Sequence, residues 1–421
     1  MIINAFLILV FLLAIFYSFK YRFVHLKCFT ESIKEFKKNK SVYLTLLLTL
    51  ASHIGAGNVV GVTTAIIYGG YGSLFWMVIF AFFSSVFSLI ENTLSVKYQI
   101  LIDGEYRSSS SNYINYGLKK KKLAYIFSVI LLLSSTVLFG PLQVNTLKNS
   151  IQIPFKINNY IIFIIMLLFA FFVIFKGTRK ILNLVEKIVP FMTICFLSIC
   201  LIAIFVNIIY LPEAIGRILK DAFSFKSGVG GLIGSAITIG FKRSAFSNES
   251  GFGTTPSMTG MSEAKNPISQ GLVQVLGVFI DTVFMCGLFG LMICIYDINL
   301  INKDGSLLAI SVFEEILGGF GYYLGAFFLF IFSIATWVSS FYGGETNMIY
   351  LFSKKRIGLA KVIYRALYII GTALGVFLTG LILWDFIDYG LILLGVINIY
   401  AIIKLEKRFK EELDIYIMKK M

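Results

Sequence analysis

Three short stretches carry the polar residues whose types and spacing can do chemistry. Asn58 closes Gly55-Ala56-Gly57-Asn58 in the middle of an otherwise apolar run, residues 41–70. Gly240-Phe241-Lys242-Arg243-Ser244 leads into Asn248 and Glu249, and Asp281-Thr282 lies well inside another apolar segment. None of these has the make-up of a catalytic centre. The only histidines are His25 and His53, and no nucleophile–base set or metal cluster stands at either end of the apolar segments. What these stretches offer is ligation. A helix broken at glycines presents unpaired N–H groups to an anion and bare carbonyls to a cation. An acid held inside an apolar segment marks an ion path by default, and here the alternative is an internal partner for Arg243.

The elements that hold these residues follow from composition. Of 421 residues, 58% are hydrophobic and 14% charged, against about 45–50% and 25% in soluble domains. Apolar runs of about 18 residues or more recur from end to end, which defines a polytopic helical membrane protein. The net charge of +15 fits the positive-inside rule better than a nucleic-acid partner, because the basic residues sit in short loops between spans. The pattern predicts eleven spans, at about 3–19, 41–68, 72–100, 123–147, 158–175, 181–209, 228–256, 268–296, 320–343, 358–380 and 383–403. Short helices outside the bilayer are expected at 211–223 and within 297–319. This layout puts the N-terminus outside and the C-terminus in the cytoplasm. Only Lys148, Lys156, Arg217, Lys220, Lys226 and Lys303 then fall outside, with the depth of Lys242 and Arg243 left open. The first apolar run lacks a basic leader and a small-residue cleavage site, so it reads as a retained span. Cys28, Cys195, Cys200, Cys286 and Cys294 show no metal-type spacing and read as small apolar residues.

Glycine inside a helix costs about 1 kcal/mol relative to alanine, and in hydrocarbon each freed backbone group costs several more. A break at Gly55–Asn58 therefore belongs where it lines a cavity or packs closely against another helix. A second interruption, at 240–244, is expected on the same grounds, a plain cytoplasmic loop being the alternative. Counted from the second span, these are the first and sixth of ten. Paired interruptions in two halves point to a transport site between them.

The blocks GAGNVVGVTTAIIYGGYGSLFWM (55–77), FKRSAFSNESGFGTTP (241–256) and NPISQGLVQVLGVFIDT (266–282) resemble those of the alanine or glycine:cation symporter family. Glu91 through Lys97-Tyr98, Gln143-x-Asn145, Val189-Pro190-Phe191-Met192 and Tyr342-x-Gly344-Glu345 extend the likeness. The resemblance implies an all-α LeuT-type five-plus-five inverted repeat with one extra N-terminal helix. It also implies one transporter domain over 1–421: an extra helix and basic linker (1–40), two repeats (41–210 and 228–403) and a cytoplasmic tail (404–421). The implied activity is import of a small neutral amino acid with Na⁺ across the plasma membrane, with no cofactor beyond the coupling ion and no enzymatic step.

By the same resemblance, Gly55, Ala56, Gly57 and Asn58 receive the substrate carboxylate, with Gln143 beside them. Carbonyls at Gly240–Ser244 take its ammonium, Phe241 walls the pocket, and Asn248 follows. Ala51, Ile54, Asn58, Asp281, Thr282 and Thr336 are the expected Na⁺ ligands. Ser340 stands where the family usually has Trp, which implies room for side chains larger than methyl. Ala56 and Ala335 each replace a hydroxyl near the expected ion sites, which keeps H⁺ coupling open. Outside transport, the alternatives are a sensor without flux or an integral-membrane enzyme. Arg243 is expected to face a hydrated cavity or pair with Glu249, His53 to be an interior histidine, and Trp76 and Trp384 to lie in the interfacial belt. Gln143 and Asn145 either reach the substrate or brace the scaffold.

Overall fold

In hydrocarbon every backbone polar group needs an internal partner, so long apolar runs fold as helices. A computed structural model describes residues 2–27, 29–174, 177–224, 236–298, 305–352, 356–378 and 380–419. Cys28, Lys226, Lys303, Lys354 and Lys355, and residues 228–235 of one expected span, lie outside the described residues. The helices are α1 (Ile2–Lys20), α2 (Lys40–His53), α3 (Gly57–Gly69), α4 (Gly72–Lys97), α5 (Lys121–Phe155), α6 (Asn159–Ile174) and α7 (Thr178–Val206). They continue with α8 (Leu211–Ala222), α9 (Ala236–Asn248), α10 (Pro256–Thr259), α11 (Pro267–Tyr296), α12 (Gly305–Leu351), α13 (Ile357–Phe377) and α14 (Gly380–Met418).

The expected eleven spans are not found. Among the described residues, eight helices are long and apolar enough to cross a membrane, or nine when α2 and α3, bent by 54°, count as one span. Of the expected spans at 158–175 and 228–256, residues Asn159–Ile174 and Ala236–Asn248 are described as helix. The protein is a multi-pass membrane protein all the same.

Nor is the chain wholly helical. Ile100–Ile102 (β1) and Glu105–Arg107 (β2) form an antiparallel hairpin around Asp103 and Gly104, with Ile100 opposite Arg107. Arg107 is buried over the Tyr342 ring, with Glu345 3.7 Å away. Glu345 also lies 3.9 Å from Arg365 on α13. The hairpin is thereby tied to α12. At the other end, α8 is the short helix expected at 211–223. Its Asp221 carboxylate accepts the Gly72 N–H at 2.7 Å, where the turn uses Gly70 at φ +73°. The predicted short helix in 297–319 is the first part of α12, set off by a break at Gly318 (φ +65°).

Candidate functional site

The first break forms where the glycines predict it. α2 ends at His53, Ile54 leaves helical geometry (ψ 80°), and the chain resumes at Gly57 as a wide turn of helix. Two contacts fix the bend. The Ala56 N–H donates to Gln143 Oε1 on α5 at 3.1 Å, and the Thr336 hydroxyl on α12 lies 3.1 Å from the Ile54 carbonyl. A Cβ at Gly55 would stand 2.5 Å from Thr336 Oγ1 and 2.8 Å from Gln143 Oε1. One at Gly57 would meet the Phe246 ring at 2.9 Å. These glycines let three helices converge on exposed backbone, with Ala51 and Ile54 buried beside them.

Asn58 points away from that junction toward α11. Its Nδ2 donates to Asp281 Oδ1 at 2.6 Å, while its Oδ1 is buried with no donor among the described residues. Asp281 Oδ2 accepts from Ser247 Oγ (2.8 Å) and Thr282 Oγ1 (2.7 Å). Asn248 Nδ2 donates to Thr282 Oγ1 (3.2 Å) and Ser244 Oγ (3.3 Å). Asp281 lies where α11 widens, over Phe279–Cys286, into π-helical turns, a local irregularity frequent at functional sites. The three helices α3, α9 and α11 thus share one buried, oxygen-rich cluster. Among the described residues no group of three or more His, Cys, Asp or Glu is placed to hold a metal ion. The cluster's carboxylate, amide oxygen and hydroxyls are hard donors, the kind an alkali cation accepts.

The second break is displaced from its expected place. Residues 236–248 are helical throughout, so Gly240–Ser244 is not unwound. Gly240 serves close packing instead, since a Cβ there would stand 2.5 Å from the Ser73 carbonyl of α4. Phe241 is buried against Phe11, Phe80 and Trp76, on the side facing α1 and α4, and does not reach the site. The ring that meets the first break is Phe246, which also packs on Trp384 at 4.7 Å. Lys242 pairs with Asp388 at 3.6 Å. Arg243 lies over the Trp384 ring, 4.6 Å from its centroid. Trp76 is held by its own bond, Nε1 to the Ala222 carbonyl.

Helix α9 ends at residues 249–255, where Glu249 (φ 50°), Gly251 (φ 89°) and Gly253 (φ 78°) are left-handed. The loop is clamped by Glu91 of α4. Its carboxylate accepts from the Gly251 and Gly253 amides (3.3 and 3.1 Å), Thr255 Oγ1 (3.1 Å) and Asn398 Nδ2 of α14 (2.7 Å). Tyr113 hydrogen-bonds Asn398 in turn. Reading the sequence missed Glu91, Ser247 and Phe246 as site residues. The cue for the last two was the FSNE block itself, and for Glu91 an acid 160 or more residues from the groups it holds offers no local signal.

The remaining expected residues divide. Asn145 braces the scaffold, donating to the Gly375 and Leu378 carbonyls (3.3 and 2.8 Å). His53 is interior and buried. Ser340 lies one turn beyond Thr336 and faces a small cavity.

A family model described as the sodium:alanine symporter family matches residues 1–421 of the chain. The chain is 34% identical over 411 residues to a putative sodium/proton-dependent alanine carrier protein of Bacillus subtilis, covering 93% of this chain and 85% of that one. It is 30% identical over 397 residues to an amino-acid carrier protein of the same organism, covering 93% and 84%. Among solved structures it is similar to a manganese transporter of Eremococcus coleocola, with a TM-score of 0.51 at 13% identity, over 87% of this chain and 76% of that one. At that identity the likeness concerns the fold alone. Together with the span count, it replaces the LeuT-type five-plus-five arrangement of eleven helices expected from the sequence.

Proposed function

This chain belongs to the sodium:alanine symporter family, and from that premise we propose how its broken helix binds a small neutral amino acid together with Na⁺. The family is one of carriers, not enzymes, and the coupling ion is cargo. The observation that carries the reading is Asn58. Its Nδ2 is committed to Asp281 and its buried Oδ1 has no donor, immediately after backbone amides held open by Gly55 and Gly57. An orphaned carbonyl oxygen beside a carboxylate is a cation's position, and the Ala56 amide at the helix start, held by Gln143 Oε1 until a ligand replaces it, is a carboxylate's.

Asn58, Asp281 and Thr282, with Ser247, then hold Na⁺. Ala51, Ile54 and Thr336 frame a second ion position, where Thr336 Oγ1 already meets the Ile54 carbonyl. The Ala56 amide binds the substrate carboxylate after Gln143 Oε1 withdraws, so Gln143 both guards and completes the site. Gly55 and Gly57 keep it open, and Ser244 and Asn248 support Thr282 from behind. Transport proceeds by alternating access, with the N-terminus outside and the C-terminus in the cytoplasm.

Purified protein in liposomes should take up a labelled small neutral amino acid when an inward Na⁺ gradient is imposed at constant pH. Uptake driven only by a pH gradient would overturn Na⁺ coupling. It would favour the H⁺ reading, which the missing hydroxyls at Ala56 and Ala335 support. The pocket extends past methyl, because Ser340 borders a small cavity; Ser340→Trp should narrow uptake toward glycine and alanine, as competition by valine and leucine would measure.

A further inference from the structure

Every charged residue of α7 lies before Ile188. The uncharged remainder, 188–206, spans about 28 Å at 1.5 Å per residue, close to the hydrocarbon thickness of about 30 Å. The turns from Lys180 to Lys187 therefore stand among the headgroups of one leaflet. At that depth α6 and α7 border a groove of ≈ 470 Å³, within the range of about 300–1,000 Å³ usual for ligand sites. Lys180, Asn183 and Lys187 supply its polar lining, and Leu184, Ile188 and Phe172 of α6 its apolar lining. Residues three, four, seven and eight apart share a helix face, which is why one stretch of α7 brings all five to the same groove.

The groove carries positive charge that nothing in the protein answers. Glu186, the acid beside Lys187 in the chain, pairs instead with Lys40 at the start of α2, at 3.6 Å. Lys180, Asn183 and Lys187 are exposed, and none has a hydrogen bond or ion pair among the described residues. Lys187 lies about 10 Å deeper than Lys180, and its flexible stem snorkels back toward the surface, so both ammonium groups can meet one phosphate. Deeper in the bilayer the same faces turn apolar. Phe191 and Ile194 continue the face of α7, Leu168 lies one turn from Phe172 on α6, and all three are exposed. Two cations at the head of an apolar strip have the layout of a phospholipid. A choline or ethanolamine headgroup would set a further cation beside the lysines, so the match is to a headgroup of net negative charge.

We propose that this groove binds one anionic phospholipid, with its phosphate held by Lys180, Lys187 and the Asn183 amide and an acyl chain laid along Leu168, Phe191 and Ile194. Basic pockets between helix ends are where such headgroups bind in membrane proteins. In the orientation proposed above the lipid belongs to the cytoplasmic leaflet, but the chemistry of the groove is independent of that orientation. Because α7 packs against α2, a lipid bound here also braces the helix that leads into the break.

The test counts bound lipid by native mass spectrometry on the full chain, purified in detergent and mixed with equal amounts of phosphatidylglycerol and phosphatidylcholine of matched acyl chains. The native protein should retain phosphatidylglycerol in roughly tenfold preference, and Lys180→Gln/Lys187→Gln should lose one copy per chain. Lys407→Gln/Lys410→Gln, which removes two exposed lysines from α14, should keep it. In nanodiscs, replacing phosphatidylcholine by phosphatidylglycerol should raise the melting temperature of the native protein more than that of Lys180→Gln/Lys187→Gln. Equal retention of the two lipids by the native protein would overturn the site. Equal loss in the two double variants would do the same, since it would mean diffuse attraction to surface charge. A lipid-free dimer that dissociates in Lys180→Gln/Lys187→Gln would give the groove to a second copy of the chain and also overturn the proposal. Neither measurement reads amino-acid uptake, so failure here leaves the transport reading standing.

Discussion

Replacing Asp281 by Asn separates an ion ligand from a structural acid. The side chain keeps its shape and loses its charge. Asp281 accepts from Asn58 Nδ2 at 2.6 Å, Ser247 Oγ at 2.8 Å and Thr282 Oγ1 at 2.7 Å. In Asp281→Asn the amide oxygen can stay with Asn58, while the new NH₂ faces two hydroxyls able to rotate and accept. Three charge-assisted bonds become neutral ones, a loss of about 1 kcal/mol each. The relief of no longer burying a carboxylate offsets that loss, so the fold should lose little. The ion fares differently. A unit charge about 4 Å from a carboxylate gains roughly 4 kcal/mol at an effective dielectric of about 20. Asn58 Oδ1 and water replace part of that interaction, so the Na⁺ half-saturation of uptake should rise by about a hundredfold or more. The apparent melting temperature without Na⁺ should stay within a few degrees of the native value, and its rise on adding Na⁺ should vanish. An unchanged half-saturation together with an unchanged Na⁺-dependent rise would refute the reasoning and make Asp281 structural.

Gly57→Leu should abolish substrate binding while expression and folding persist, because its Cβ would meet the Phe246 ring at 2.9 Å and the rest of the side chain would fill the carboxylate cradle; retained affinity in a binding assay would mean the glycine only packs helices. In a background without native cysteines, Lys156→Cys should react with an impermeant thiol reagent on intact cells and Lys407→Cys only after permeabilisation; both are exposed, and reaction from one side would refute the proposed orientation. His25, in the short helix Val24–Lys27 between α1 and α2, has its imidazole pushed down to about 4 by burial. Below about pH 6.5 the unfolded chain binds a proton that the folded one refuses, so stability should fall as the pH drops from 6.5 toward 4, by up to about 3 kcal/mol. His25→Phe should flatten that part of the melting-temperature profile, and an unaltered profile would exclude His25 as the cause.

The sequence by itself determined the polytopic helical class, the break at Gly55–Asn58 and the interest of Asp281. Each of these is a local property: run length, missing helix formers inside an apolar run, and an acid where hydrocarbon disfavours one. It also carried the family, because the matching blocks are long and ordered. It misplaced the second break at Gly240–Ser244, expected from the glycine and from matching places in two halves. The fold carries Lys242 and Arg243 within the helix against Asp388 and the Trp384 ring, both more than 140 residues away, and α9 stays helical to Asn248. The chain turns instead at Glu249–Gly253, where Glu91 receives the two glycine amides. The expected eleven spans were overturned: among the described residues eight helices, or nine with the bent pair, are long and apolar enough to cross. Hydrogen bonds between residues far apart in the chain leave no periodicity, and only the tertiary structure shows them.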